Sequence, residues 1–158
     1  MIRKKILLLG NFSVGKTSLI RRYVDGTFDD KYLTTIGVKI SKKICTIETI
    51  EYELLIWDIE GETPIKKIPS SYYKGASGAI FVADSTRQET VDNLWVLQKL
   101  FLDTNPQAKH VIAYNKSDLL SEAEKSQFSL DEVSFFTSAK MDINVENLFL
   151  KLIKEMSS

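Results

Sequence analysis

Residues 6–17 read Ile6-Leu7-Leu8-Leu9-Gly10-Asn11-Phe12-Ser13-Val14-Gly15-Lys16-Thr17. The opening aliphatic run has no polar face, which suits a strand buried on both sides. Beyond it, Gly10 and Gly15 bracket four residues and Lys16-Thr17 follow, the spacing GxxxxGK[ST]. Glycines at these points let backbone N–H groups turn inward and form an anion nest. A helix beginning near Lys16 adds its N-terminal dipole. Lys16 can then reach the β- and γ-phosphates of a nucleotide, and Thr17 offers a hydroxyl to Mg²⁺. Ser13, Val14, Gly15, Lys16, Thr17 and Ser18 form the candidate phosphate-binding set.

Strands and helices alternate outward from this stretch. Ile2–Leu9 is the first expected strand, and 16–24 a helix with Leu19, Ile20 and Tyr23 on one face. Residues 38–46 and 49–57 read as two strands forming a hairpin. Pro69 is placed to open a short helical turn into Ser70-Ser71-Tyr72-Tyr73. Gly78–Asp84 is apolar enough to be buried on both faces. Residues 85–103 begin with turn residues and continue as a helix carrying Val91, Leu94, Trp95, Leu97 and Leu100. Further strands are expected at 110–114 and 132–136, a turn or two of helix at 121–127, and a last helix at 143–156. Such alternation implies βαβ units. The expected fold is α/β: one domain over residues 1–158, three layers (α/β/α), with a mostly parallel six-stranded sheet and one antiparallel edge strand. Ligands of these sheets sit beyond the carboxyl ends of the strands, where every motif below falls.

A chain of 158 residues fits one domain with a good-sized core. With 44% apolar and 27% charged residues it is not a disordered chain. A formal net charge of zero argues against a broad nucleic-acid surface. The one cysteine, Cys45, allows neither an intrachain disulfide nor a cysteine metal site, so a cytoplasmic setting is the default. The start MIRKKILLLG is basic and then apolar, but its apolar run is too short for a signal peptide and no cleavage site follows. No run approaches membrane-spanning length.

Residues 56–63, IWDIEGET, gather Asp58, Glu60 and Glu62 around Gly61. An acid at such a strand end helps to hold Mg²⁺ in phosphate-loop proteins, which assigns Asp58. Gly61, at DxxG spacing, would offer a backbone N–H near the γ-phosphate. Asn115-Lys116-Ser117-Asp118 follows the strand HVIAY. A carboxylate at Asp118 can accept from N1–H and the exocyclic amine of guanine, a donor pair that adenine lacks. Lys116 can lay its aliphatic stem along the purine, and Asn115 can brace neighbouring loops. Thr137-Ser138-Ala139-Lys140 follows the last strand, and the Ala139 N–H could bind guanine O6.

On the pieces GNFSVGKTSLIRRYVDGTF, YLTTIGV, LLIWD, SSYYKGASGAIFVAD, NKSDL and TSAK, the chain resembles the Ras superfamily of small GTPases, the Rab family in particular. The likeness covers nearly the whole length. It implies a P-loop NTPase G domain that takes GTP/GDP and Mg²⁺. It implies that Thr35 completes Mg²⁺ coordination when GTP is bound, so that Thr17, Thr35 and Asp58 form the metal set. Phe28 would pack against the guanine and Tyr32 close over the phosphates. Residues 27–38 and 58–73 would be the two switches, ordered by the γ-phosphate. Protein effectors, an exchange factor and a role in vesicle trafficking are implied in the same way, for a monomer that is cytoplasmic or peripheral at membranes through partners.

Departures from the family pattern sit at the catalytic centre, whose candidates are Lys16, Gly61 and Glu62. The family's second switch is close to WDTAGQE; here Glu62 stands for the water-orienting glutamine and Glu60 for a small residue. An ionised Glu62 about 4 Å from a γ-phosphate oxygen meets roughly 4 kcal/mol of repulsion at an effective dielectric near 20. A carboxylate can still accept a hydrogen bond from water, but it lacks the amide's donor. Slow hydrolysis is expected; the alternative is that Glu62 serves as a competent base. Phe12 stands where small residues are usual and should obstruct a partner's arginine finger, so any GAP would be unusual. Ile40 replaces an aromatic of the effector-facing cluster, of which Trp57 and Tyr73 are expected to remain. The C-terminal KLIKEMSS has no cysteine for prenyl groups, and Met1-Ile2 excludes N-myristoylation. That leaves either a trimmed tail or a chain without the family's membrane anchor. Two readings follow: a GTP-hydrolysing switch, or a hydrolysis-deficient GTP-binding scaffold. A P-loop kinase or ATPase is a distant third, against which Asp118 argues.

Overall fold

In the computed structural model, residues 1–28, 37–59 and 69–157 are described. The aliphatic run at 6–9 lies in β1 (Ile2–Leu9) and is buried throughout, as a central strand requires. β2 (Val38–Ile47) and β3 (Ile50–Ile59) form the expected hairpin, with Glu48 at φ 58 in its two-residue turn. β4 (Gly78–Asp84) is buried along its whole length, and β5 (Lys109–Asn115) and β6 (Ser134–Phe136) complete the sheet. Strand order is β2-β3-β1-β4-β5-β6, with β2 antiparallel to β3 and every other pair parallel. The order reverses at β1, which opens a crevice beyond its carboxyl end.

Helices cover both faces, giving three layers. On one face α1 (Lys16–Asp25) and α5 (Val145–Ser157) close over Ile6, Leu8, Ile56, Ile80 and Val82. Leu19, Ile20 and Tyr23 are buried there as their spacing required, and Tyr23 stacks on Phe149 at 3.8 Å between ring centroids. On the other face Phe101 meets Phe81 edge-on at 5.9 Å, above Leu7 and Leu9.

Beyond β3, which runs through Asp58 to Ile59 rather than ending at 57, three expected elements differ. The helix foreseen within 85–103 is two, α2 (Gln88–Asp92) and α3 (Leu94–Thr104), separated by Asn93 at ψ −11. The Asn93 side chain donates to Asn11 Oδ1 at 2.8 Å, and this hold coincides with the break. Leu94, Leu97 and Phe101 are buried, whereas Trp95 and Leu100 face solvent. β6 starts at Ser134 rather than 132 because the Asp131 carboxylate accepts from the Val133 amide and Ser134 hydroxyl, which turns the chain there. α5 starts at Val145 because Ile143 pairs with Ser138 and Asn144 is left-handed at φ 56. The short α4 (Glu122–Lys125) is held by a capping box from Ser121 and Glu124. Among the described residues no helix is long and apolar enough to cross a membrane.

Acid should weaken this fold in two stages. Burial holds the His110 imidazole below its ordinary 6.5 against Asp131 and Glu155, which pull it up. Burial pushes the Asp84 carboxyl up, but bonds from Thr86 and the Lys116 ammonium outweigh it and leave it below 3.8. The Ser134 hydroxyl does most to hold Asp131 below 3.8. In each case the folded form binds fewer protons than the unfolded one, so stability falls as pH falls. The His110 share is lost below 6.5 and the carboxylate share below 3.8. A series of Tm against pH should show both stages, and His110→Asn should remove the upper one while reducing the Asp131 part of the lower, since the imidazolium helps to hold that carboxylate down.

Candidate nucleotide-binding site

The chain leaves β1 at Gly10, curls, and enters α1 after Gly15. Both glycines are required by space. A Cβ on Gly10 would lie 2.3 Å from the Val82 carbonyl oxygen. One on Gly15, at φ 98, would lie 2.3 Å from Asn115 Nδ2. Lys16 is buried, and its ammonium donates to the carbonyls of Gly10 (3.2 Å) and Asn11 (3.4 Å). The next four carbonyls are each held in turn. Arg87 donates to Phe12 at 3.1 Å, Lys116 to Ser13 at 2.9 Å, and Asn115 to Val14 at 3.0 Å. The Leu19 amide donates to Gly15 at 3.0 Å. In a trans peptide the C=O and the following N–H point opposite ways. Holding carbonyls 12–15 therefore turns the N–H groups of Ser13, Val14, Gly15 and Lys16 to the other side, which forms a nest for an anion. Ser13 pays for this shape with φ 64, a left-handed conformation costing an L-residue about 1–2 kcal/mol.

At the start of α1, Thr17 donates its hydroxyl to Asp58 Oδ2 at 2.5 Å, and Asp58 is buried near the end of β3. A hydroxyl and a carboxylate side by side are hard oxygen donors of the kind Mg²⁺ takes, with phosphate and water completing its shell. Among the described residues no three His, Cys, Asp or Glu converge, so an ion here would depend on phosphate oxygens. Ser18 follows in the first turn of α1.

The loop after β5 stands against the phosphate loop. Asn115 is buried, and besides donating to Val14 it accepts from the Thr137 hydroxyl at 3.0 Å. Lys116 takes φ 62 and pairs with the buried Asp84 at 3.1 Å. Asp118 is exposed, and its Oδ1 accepts from the Ser138 hydroxyl at 2.8 Å, which fixes the carboxylate while leaving it open to solvent. Arg22 of α1 donates to the carbonyls of Ala139 (2.8 Å) and Lys140 (3.0 Å), tying the loop after β6 to the same place. Phe28 packs against the core on the α1 side. Ser13 to Ser18, Asp58, Asn115, Lys116, Asp118, Ser138, Ala139 and Lys140 thus lie on strand ends, loops and helix starts at one end of the sheet. Tyr32, Thr35, Glu60, Gly61 and Glu62 lie outside the described residues, as does most of both switch segments.

Several contributors were not foreseen. Asp84 had a signal, a carboxylate closing a strand otherwise free of charge. Arg22, Arg87 and Asn93 had none, since their contacts span 75 to 118 residues of sequence. The aromatic expectation is corrected: Tyr72, not Tyr73, accompanies Trp57, with ring centroids 6.2 Å apart. The 3₁₀ turn Ser70–Tyr72 sends Tyr73 inward onto Phe101, edge-on at 6.5 Å. The Lys5 ammonium lies 3.9 Å over the Trp57 ring, and Ile40 is exposed beside it on the paired strand.

A mostly parallel α/β/α sheet with this loop between β1 and α1 is the architecture of a P-loop GTPase. A sequence model of the Ras family matches residues 5–158. The chain is 35% identical to the GTP-binding protein ypt1 of Schizosaccharomyces pombe, over 96% of this chain and 79% of that protein. It is 37% identical to the Ras-related protein RABC1 of Arabidopsis thaliana, over 94% of this chain and 74% of the relative. To RABE1d of the same plant the identity is 32%, over 96% and 74%. The chain belongs to the Ras family of small GTPases and is Rab-like.

Proposed function

We propose that residues 1–158 act as a single guanine-nucleotide switch that binds GTP and GDP with Mg²⁺ and hydrolyses GTP slowly. The observation that carries this reading is the phosphate loop whose carbonyls 12–15 are all held, with Lys16 inside it. Ser13, Val14, Gly15 and Lys16 would grip the phosphates through backbone N–H groups, and the Lys16 ammonium would exchange its two carbonyls for phosphate oxygens. Thr17 and Asp58 would hold Mg²⁺ together with Thr35. Bound there, the ion would offset phosphate charge. Asp118 would read guanine, flanked by Lys116, Phe28, Ala139 and Lys140, with Ser138 and Asn115 fixing the loops. Gly61 and Glu62 would face the γ-phosphate and the attacking water.

Its partners are protein effectors docking over 38–57 and the second switch, an exchange factor, and a GAP that works around Phe12. The process served is vesicle trafficking, by likeness to the Rab and Ypt relatives. The protein acts as a monomer, in the cytoplasm or at membranes through partners, without nucleic acid. A second reading, a GTP-holding scaffold without turnover, draws support from Phe12, whose ring stands 49% exposed on the rim of the phosphate loop.

Single-turnover hydrolysis separates the two. Protein loaded with GTP and Mg²⁺ and freed of excess should convert bound GTP to GDP over hours. Intact GTP on a protein that retains it tightly would favour the scaffold. Glu62→Gln should raise the single-turnover rate about tenfold, about 1.4 kcal/mol off the barrier, by removing like-charge repulsion and restoring a donor. A fall in rate would instead make Glu62 the working base.

A further inference from the structure

Ser13 is the one left-handed non-glycine of the phosphate loop, at φ 64. If it relaxed to a right-handed or extended conformation, the peptides on either side would rotate and the Ser13 and Val14 N–H groups would swing out of the nest. Both flanking carbonyls are tied to the end of β4 and the turn after it, one directly and one through Lys116 of the loop after β5. On one side Arg87 donates to the Phe12 carbonyl at 3.1 Å. On the other, Asp84 pairs with Lys116 at 3.1 Å, and Lys116 donates to the Ser13 carbonyl at 2.9 Å.

The turn is itself braced. The Thr86 amide and hydroxyl both donate to Asp84 Oδ1, at 2.9 and 2.6 Å. The Arg87 amide donates to the Asp84 carbonyl at 2.9 Å. The buried Thr90 hydroxyl donates to the Arg87 carbonyl at 2.7 Å and accepts from the Asp84 amide at 2.9 Å. Glu89 holds the Arg87 guanidinium from its other edge at 3.1 Å.

We propose that Arg87 is a positioning residue of the nucleotide site: together with Asp84, which acts through Lys116, it clamps the strained Phe12–Ser13 corner so that the N–H groups of Ser13 and Val14 stay aimed at the phosphates. This rests on the reading of the site as a guanine-nucleotide site. The competing account is a surface Arg87–Glu89 ion pair with no bearing on the nucleotide. Exposed pairs of that kind contribute little to stability.

The dependence on strain gives a specific test. Labelled GDP is loaded with Mg²⁺ and chased with excess unlabelled GDP, and its dissociation rate is followed. Arg87→Ala should speed dissociation about tenfold, the weight of one charge-assisted hydrogen bond. Arg87→Lys, which keeps a cationic donor, should restore most of the wild-type rate. Ser13→Gly takes the left-handed conformation without cost, so in that background Arg87→Ala should speed dissociation less than about threefold. Wild-type protein that retains GDP, with Arg87→Ala unchanged within about twofold, would overturn the clamp and leave the nucleotide reading standing. Equal acceleration in both backgrounds would overturn it as well. Wild-type protein that retains no labelled GDP would overturn both.

Discussion

Lys16→Ala should lower GDP and GTP affinity about a thousandfold, the loss of two charge-assisted hydrogen bonds to phosphate at about 1.5–3 kcal/mol each. The substitution does more than remove a charge. The Lys16 side chain is buried under the loop, and its ammonium donates to the carbonyls of Gly10 and Asn11. Truncation leaves both carbonyls without that donor and opens space beneath the nest. Equilibrium titration with a fluorescent GDP measures the affinity, and circular dichroism checks that the sheet persists. Affinity within about threefold of wild type, on a folded protein, would falsify the phosphate-loop assignment, since no single charged hydrogen bond is worth so little.

Asp118→Asn should change the base that is read. A carboxylate can accept from both guanine donors, whereas an amide presents one donor and one acceptor, which fits xanthine's altered edge. A site built around a hydrogen-bonded group rejects an analogue lacking it by about 10⁴–10⁵, so the preference for GTP over the xanthosine analogue should fall by at least about a thousandfold. The loop should survive the change. The Ser138 hydroxyl, now 2.8 Å from Asp118 Oδ1, can donate to an amide oxygen as well. Competition between the two triphosphates for the loaded protein reads the preference directly. Undiminished GTP selectivity would remove Asp118 from the base-reading role.

How much of this was legible beforehand follows from where each signal lives. β1 and β4 are legible because each holds a short apolar run bounded by turn residues, 6–9 before Gly10 and 79–83 between Gly78 and Asp84, which suits a strand buried on both faces. The phosphate loop was legible because its two glycines answer local demands, a left-handed turn at Gly15 and the close approach of Val82 at Gly10. The break at Asn93 was not legible. Nothing around it forbids a continuous helix, and its partner Asn11 is 82 residues away. The swap of Tyr72 for Tyr73 beside Trp57 had the same origin: adjacent tyrosines differ only in which way a 3₁₀ turn sends them. Ser13 looked ordinary in the sequence, and only its φ of 64 exposes the strain that Arg87 and Lys116 hold.

The holds on the phosphate loop also order events in time. The motif is made before its holds: the donors to Val14 and Ser13 follow 101 and 103 residues later. Contacts of such separation cannot close until β5 has been made, and non-local contacts form more slowly than local ones. A nascent chain that has produced β1, α1 and the hairpin holds the binding sequence without the binding shape. Capture of nucleotide would therefore wait for the loop after β5 to be made, rather than follow directly on the appearance of the motif itself.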